Sequence, residues 1–200
     1  MEKSIGRRLF RGSFGLRQMP LKVWQFKKNE VKTMQEVNVV TEVNAGKCLI
    51  IVYSYHHKNT AKIADVFAEV LHAQVKTPEQ VVLEELQEYD FIGFGSGIDS
   101  GKHYKQLLDL ADRLPDVNKK SCFIFSTSAI MGKDKVDKDH SLLKQKLQSK
   151  GYIVEGEFSC KGFNTNLFLK YFGGMNKGRP NSEDLKHAEE FALNLVKNIA

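Results

Sequence analysis

The chain has 200 residues, of which 42% are hydrophobic and 27% are charged, proportions that are typical of a single globular domain. Its net charge of +6 lies at the N-terminus: residues 1–34 carry nine Lys or Arg and two Glu, whereas residues 35–200 carry 21 basic and 22 acidic side chains. We therefore expect no nucleic-acid partner, and no apolar run is long enough to predict a membrane span. The three cysteines, Cys48, Cys122 and Cys160, follow no metal or disulfide spacing, which favours a reducing, cytoplasmic compartment.

Residues 1–45 are predicted to be a basic, disordered extension, because they show no sustained helical or alternating apolar pattern. An organelle-targeting peptide, a basic docking tail and an upstream extension before a true start at Met34 are the alternatives. The folded domain is predicted to span residues 46–200.

The first predicted strand, residues 47–53, is nearly all apolar, as expected for a strand that is buried on both faces of a parallel sheet. A helix follows it, with Asn59 and Thr60 as candidate caps. The buried stripe of this helix is formed by Ile63, Phe67, Val70 and Leu71. Residues 73–77 predict a short second strand, followed by a brief helical segment at residues 82–87.

Three further strands are predicted at residues 90–96, 121–128 and 152–160, the last nearer an edge because it alternates. A helix is predicted after each of them. The apolar stripes are Tyr104, Leu107, Leu108, Ala111 and Leu114 in the first, Leu142, Leu143 and Leu147 in the second, and Leu185, Ala188, Ala192, Leu195 and Ile199 in the last. Gly151 is placed to end the second of these helices, and Asn181 to cap the last.

Five short strands that alternate with helices predict an α/β fold, an open five-stranded parallel sheet in the order 2-1-3-4-5 with helices on both faces. In such sheets, ligands bind beyond the carboxyl ends of the strands, at the switch point between the first and third strands. The candidate site therefore consists of the loops at residues 54–60, 96–104 and 126–132.

The loop "SYHHKNT", residues 54–60, leads directly into a helix, so unpaired N–H groups and the positive end of the helix dipole favour an anion there. Hydroxyl and amide groups are added by Ser54, Tyr55, Asn59 and Thr60. Lys58 can add a charge or extend into water. His56 and His57 are adjacent, and no other metal-ligating residues accompany them in the sequence, which disfavours a metal site. Two interpretations stay open: a protonated histidine contacts a phosphate, or the two residues serve only through their backbone.

The segments "VYSYHHKNTAKIA", "YDFIGFGSGIDSGKHY" and "KGRPNSEDLKHAEEFA" resemble the flavodoxin family, specifically its short single-domain members, over residues 47–200. This resemblance implies the flavodoxin-like strand order and FMN as the cofactor. The family's phosphate loop has the form [Ser/Thr]-x-Thr-Gly-Asn-Thr. Aligned on Asn59 and Thr60, this chain has Tyr55, His57 and Lys58 in place of the opening Ser/Thr, the second Thr and the Gly.

The resemblance also assigns the other two loops to the flavin ring. Along the isoalloxazine it places Ser96, Gly97, Ile98, Asp99, Ser100 and Gly101, with Gly97 as the hinge of a peptide that changes orientation on reduction. On the other side of the flavin it places Ser126, Thr127 and Ser128, for which a capping role is compatible. Only His103 and Tyr104 are available in the second loop to stack on the ring, and Tyr104 equally fits the helix core.

The connection at residues 160–181 is long and carries several large apolar side chains: Phe163, Leu167, Phe168, Tyr171 and Phe172. A lid over the flavin, a homodimer surface and packing against the sheet edge are the three interpretations. Packing is favoured, and a partner surface is second.

The sequence thus predicts an FMN-binding flavodoxin-like redox protein that acts in electron transfer or as a small flavin reductase, with no catalytic side chain required beyond the flavin. An electron shuttle, a quinone or other small-molecule reductase and a protoporphyrinogen-oxidising enzyme share this scaffold. The expected partner is a redox protein or a small-molecule electron acceptor. The alternative is a flavin-free or weakly binding interaction or signalling module. A phospho-receiver is disfavoured, because the first and third strands end in Tyr53-Ser54 and Gly95-Ser96 rather than in acidic residues.

Overall fold

A computed structural model describes residues 46–199, without the side chains at positions 167–169 and 199. The expectations for the extension at residues 1–45, and for the side chains of Leu167, Phe168 and Ile199, therefore lie outside the described residues.

Five parallel strands form the sheet. They are β1 (Cys48–Tyr53), β2 (Gln74–Lys76), β3 (Phe91–Asp99), β5 (Lys120–Ser128) and β6 (Tyr152–Lys161), in the spatial order β2-β1-β3-β5-β6. The sixth strand, β4 (Lys102–His103), was not predicted; it pairs antiparallel with the end of β3. Counted without β4, the five parallel strands confirm the predicted order 2-1-3-4-5. Ser100 and Gly101, which connect β3 to β4, both have positive φ, as tight hairpin turns require.

Four helices cover the sheet: α1 (Asn59–Leu71), α2 (Lys105–Arg113), α3 (Lys133–Ser149) and α4 (Ser182–Ile199). Short 3₁₀ turns occupy Pro78–Gln80, Leu83–Glu88 and Leu167–Phe172. The start of α4 is capped as predicted, since the side chain of Asn181 accepts a hydrogen bond from the N–H of Asp184 at 3.1 Å.

The predicted stripe of α3 is wrong at one position. Leu142 is exposed, whereas Leu143 and Leu147 are buried together with His140 and Asp139. The buried face is therefore partly polar, because His140 finds hydrogen-bond partners on two strands of the sheet.

The two faces of the sheet have different cores. The face covered by α1 and α4 is aromatic, and the ring of Phe67 lies 5.1–5.8 Å from the rings of four other phenylalanines: Phe123, Phe125, Phe158 and Phe191. The face covered by α2 and α3 is mostly aliphatic, with Leu107, Ile124 and Leu143 fully buried. Both faces are therefore buried, which accounts for the nearly all-apolar sequences of β1 and β3.

Candidate functional site

A cleft lies at the carboxyl ends of β1, β3 and β5, where the strand order predicts a ligand site. From the three predicted loops it is lined by Ser54, Tyr55, His56, Asn59, Thr60, Gly97, Ile98, Tyr104, Thr127, Ser128 and Ala129. It is also lined by four residues that follow β6, which were not predicted: Gly162, Phe163, Asn164 and Asn166. The structure thus brings all three predicted loops to one cleft.

The first loop presents backbone donors at the start of α1. His57 and Lys58 have φ of 51° and 52°, the left-handed conformation that favours glycine. Lys58 aligns with the glycine of the phosphate-loop pattern that the sequence resembles, and its φ lies in the region that favours glycine. The N–H groups of His57, Lys58 and Thr60 form no hydrogen bond to the described residues. Three unpaired donors at the positive end of a helix form a cradle for an anion.

The predicted caps of α1 are corrected by the structure. Asn59 and Thr60 are its first two residues, while Lys58 is the N-cap and makes no side-chain capping bond. Instead the hydroxyl of Ser54 accepts a hydrogen bond from the N–H of Ala61 at 3.2 Å. The side chains of Asn59 and Thr60 are buried and make contacts far along the chain.

These distant contacts connect the first loop to residues 162–166, called here the crossing segment. The Asn59 amide donates to the carbonyl of Phe163 at 2.8 Å, and His57 Nε2 lies 2.8 Å from the hydroxyl of Thr165. The rings of His57 and Phe163 are 4.4 Å apart. Gly162 packs so closely that an added Cβ would lie 3.0 Å from the Asn59 amide nitrogen. The crossing segment is therefore a wall of the cleft, although its sequence carries no ligand motif.

One buried polar atom in this region has no partner among the described residues: the amide oxygen Oδ1 of Asn59. A buried acceptor without a partner costs free energy unless a ligand or water donates to it. Together with the three unpaired N–H groups, it indicates that the cleft takes a ligand with both acceptor and donor groups.

Aromatic side chains flank the mouth of the cleft. The ring of Tyr104 lies 5.4 Å from that of Tyr53 and 6.2 Å from that of Tyr55, which is 67% exposed. Burial raises the pKa of Tyr104, so its hydroxyl stays protonated at neutral pH. Tyr55 and Tyr104 thus offer aromatic surfaces to a planar ligand at the mouth, whereas His103 is buried.

His103 is connected to the wall of the cleft by the Ser96 hydroxyl, which contacts both the histidine and the Gly97 carbonyl. The Ser96 hydroxyl donates to the Gly97 carbonyl at 2.8 Å and accepts from the N–H of Tyr104 at 3.1 Å. Nδ1 of His103 lies 2.8 Å from the same hydroxyl, and it is the donor in that contact in the tautomer that leaves the Ser96 proton on the Gly97 carbonyl. Burial, and secondarily the nearby His140, lower the pKa of His103, so the ring is neutral. The pair holds the Gly97 carbonyl at the edge of the cleft.

A second buried serine–histidine pair, Ser126 and His140, lies beside the pair of Ser96 and His103. The Ser126 hydroxyl is 2.8 Å from Nε2 of His140, whose Nδ1 is 2.9 Å from the Glu157 carboxylate. The rings of His103 and His140 are 5.0 Å apart. Hydrogen bonding from His140, assisted by Lys144, lowers the pKa of Glu157 to about 2. Ser126 is thus bonded inside the protein and does not line the cleft, unlike Thr127 and Ser128.

The remaining predicted residues lie near the cleft without lining it. Asp99 ends β3, and Ser100 and Gly101 form the exposed turn between β3 and β4. Ser96 is buried beneath the wall, and the side chains of His57 and Lys58 are exposed. Their contact with a cofactor stays a prediction.

Residues 46–199 contain no group of His, Cys, Asp and Glu that could hold a metal ion. Burial raises the pKa of the Cys122 and Cys160 thiols to about 12, and that of Cys48 to about 11. The thiols are therefore protonated at neutral pH and are poor nucleophiles or metal ligands. Within the same residues, no helix combines the length and the apolar character needed to cross a membrane.

The open parallel sheet and the anion cradle between its first strand and helix define a class of α/β proteins that bind ligands at a switch point. The chain belongs to the flavodoxin domain family, whose model matches residues 50–164. An uncharacterized protein of Methanocaldococcus jannaschii is 45% identical over 152 residues, which cover 76% of this chain and 99% of that protein.

Solved structures share the fold at lower identity. Oxidised Flavodoxin 2 of Bacillus cereus has a TM-score of 0.58 at 19% identity, and the match covers 76% of this chain and 99% of that one. The flavodoxin of Streptococcus pneumoniae TIGR4 has a TM-score of 0.55 at 19% identity, with the same coverage. The flavodoxin fold predicted from the sequence is thereby confirmed.

Proposed function

We propose that this protein binds FMN in the cleft and serves as a redox protein, in electron transfer or as a small flavin reductase. The observation that carries the proposal is the anion cradle: three unpaired N–H groups at the start of α1, at the position where the flavodoxin family has its phosphate loop. Bound FMN would supply the one- or two-electron chemistry.

The residues of this chain would bind and orient the cofactor. The phosphate would accept from the N–H groups of His57, Lys58 and Thr60. The flavin ring would contact the tyrosines at the mouth, the wall formed by Gly97 and Ile98, and the hydroxyls of Thr127 and Ser128 on the opposite side. The Ser96–His103 pair would keep the Gly97 carbonyl in one orientation beside the ring.

The shape of the cleft limits how FMN can be held. The cleft encloses about 40 Å³, well below the ~300–1,000 Å³ of enclosed ligand pockets. The cradle fits the phosphate, and the ring would therefore lie in the open mouth. An exposed ring edge suits electron exchange with a partner, because the partner can approach it directly.

The proposal is tested by titrating the purified protein with FMN and with riboflavin, a matched ligand that lacks only the phosphate. We expect visible flavin bands and saturable binding of FMN, and riboflavin binding that is weaker by roughly 100-fold or more, since charge-assisted hydrogen bonds contribute about 1.5–3 kcal/mol each. Equal affinities would mean that the cradle does not bind the phosphate. If FMN binds, stopped-flow reduction of the complex by NADH or NADPH separates a reductase from a carrier that needs a protein donor.

A flavin-free interaction module is the second candidate. It is favoured by the contacts of Asn59 and His57 with the crossing segment, which already occupy two polar side chains of the loop. A colourless protein that takes up no added FMN would support this candidate and exclude the first.

A further inference from the structure

The connections that leave the carboxyl ends of β1, β3, β5 and β6 carry more basic than acidic side chains. These connections, residues 54–58, 97–104, 129–134 and 161–181, are called here the cleft end. Its basic side chains are Lys58, Lys102, Lys133, Lys161, Lys170, Lys177 and Arg179, and its acidic ones are Asp99 and Asp134. Arg179 is paired with Asp184 at 2.6 Å, but the six lysines are exposed and form no ion pair with any residue in 46–199.

Lysines elsewhere on the domain are mostly paired. Those with an acidic partner at 2.5–3.7 Å include Lys47, Lys76, Lys105, Lys135, Lys144, Lys150 and Lys186. The unpaired lysines are therefore concentrated at the cleft end, where their side chains repel one another and can interact with an anionic partner.

One connection outside the cleft end is strongly acidic. Residues 77–90, which connect β2 to β3, contain five acidic side chains and no basic one. Two of these acids, Glu85 and Glu88, are paired with Lys76 and Lys47. The cleft end thus differs in charge from this acidic connection, and its excess of basic side chains favours a negative partner.

Large apolar side chains are exposed at the same end. They are Tyr55 (67% exposed), Ile130 (59%), Tyr171 (77%) and Phe172 (82%). They belong to three different connections of the cleft end. Exposed aromatic groups among charged residues are typical of protein–protein interfaces, in which aromatic anchors are surrounded by a polar rim.

We infer that the cleft end is a docking surface for an acidic partner protein, with Tyr171 and Phe172 as apolar anchors and the six unpaired lysines as the charged rim. A protein fits better than a bilayer, because the four apolar side chains are spread over three connections instead of forming the apolar face of one amphipathic helix. It also fits better than a nucleic acid, because the one arginine at this end is already paired. The inference extends the proposed redox function, since a partner docked here would cover the mouth of the cleft.

The test measures binding to a plant-type [2Fe–2S] ferredoxin, used as a strongly acidic redox probe, by isothermal titration calorimetry at several salt concentrations. We expect affinity that falls as salt rises. The double variant Lys170→Glu/Lys177→Glu should weaken binding at least tenfold. The control Lys119→Glu/Lys197→Glu makes the same change in net charge at exposed, unpaired lysines outside the cleft end, and should change binding less than twofold.

Equal losses in the two double variants would overturn the inference, because only net charge would then matter. So would tighter binding to phosphatidylserine vesicles or to duplex DNA than to the ferredoxin. Calorimetry needs no flavin, so the two proposals can fail separately. A protein that takes up no added FMN but still binds the ferredoxin through Lys170 and Lys177 would refute the proposed cofactor while supporting the docking surface.

Discussion

The carboxylate of Glu157 lies behind the cleft wall, where it accepts a hydrogen bond from buried His140 and pairs with Lys144 at 2.5 Å. Its side chain is only 20% exposed. These partners lower its pKa from 4.5 to about 2. A carboxyl whose pKa is lowered on folding stabilises the protein above its unfolded pKa, and this contribution is lost as the pH falls through the folded value.

The variant Glu157→Gln is therefore expected to lose about 2 kcal/mol of unfolding free energy at pH 7. Between pH 4.5 and 2 the wild-type protein should lose this advantage, so the two stabilities should converge near pH 2. Urea unfolding across this range is the measurement. Glu155→Gln, on the same strand but exposed, is the control and should change stability by less than about 0.5 kcal/mol. A constant difference at all pH values would assign the effect to packing instead of charge.

Strand β3 shows how one element is shaped by its neighbour. Gly93 and Gly95 are in register with Phe123 and Phe125 of β5, and the phenylalanine rings lie over the glycines. A Cβ at Gly95 would lie 2.1 Å from the ring of Phe125, and one at Gly93 would lie 2.4 Å from the ring of Phe123. The glycines in "FIGFGS" thus make room for the aromatic core on the α1 and α4 face.

Gly95→Ala is expected to destabilise the protein by about 2–3 kcal/mol, because the close-packed core cannot accept the added methyl group without shifting Phe125. Combining it with Phe125→Leu should cost less than the sum of the two single changes. The matched control is Gly95→Ala with Phe123→Leu, for which the losses should be more nearly additive. Denaturant unfolding of these variants gives the coupling energies. Strict additivity in both pairs would contradict the proposed steric contact.

At the scale of the whole molecule, the family comparison bears on where the domain begins. The Methanocaldococcus jannaschii relative aligns over 99% of its own length with 76% of this chain, so a related protein exists without a segment equivalent to the remaining quarter. We therefore keep the division predicted from the sequence, a basic extension at residues 1–45 and a domain at residues 46–200, as a proposal.

Removing residues 1–45 is expected to leave a folded protein whose thermal midpoint lies within a few degrees of that of the full chain, and whose FMN affinity is unchanged. Thermal unfolding and FMN titration of both forms are the measurements. A truncated protein that aggregates, or that loses more than tenfold in FMN affinity, would show that the extension contributes to the fold or to the site.

Several features of the site were predictable because their signals are local in the sequence. The apolar run of β1, followed by polar residues and an amphipathic helix, is enough to predict an anion site. The carboxyl ends of parallel strands then bring the three loops together by topology alone. The conformations of His57 and Lys58 were not predictable in the same way, because their residue types do not favour positive φ.

The sequence by itself determined the five strands, their order and the end of the sheet that carries the cleft. The apolar pattern of each strand and helix, and the right-handed crossover between consecutive parallel strands, both depend on residues that are close together in the chain. Only the tertiary structure decided that Asn59 contacts Phe163 and that His57 contacts Thr165, pairs that are separated by 104 and 108 positions in the chain. It also decided that Ser96 and Ser126 bind buried histidines instead of lining the cleft. These contacts join segments whose sequences carry no signal for each other. They form because the fold places polar groups side by side in a buried space, where each must find a partner.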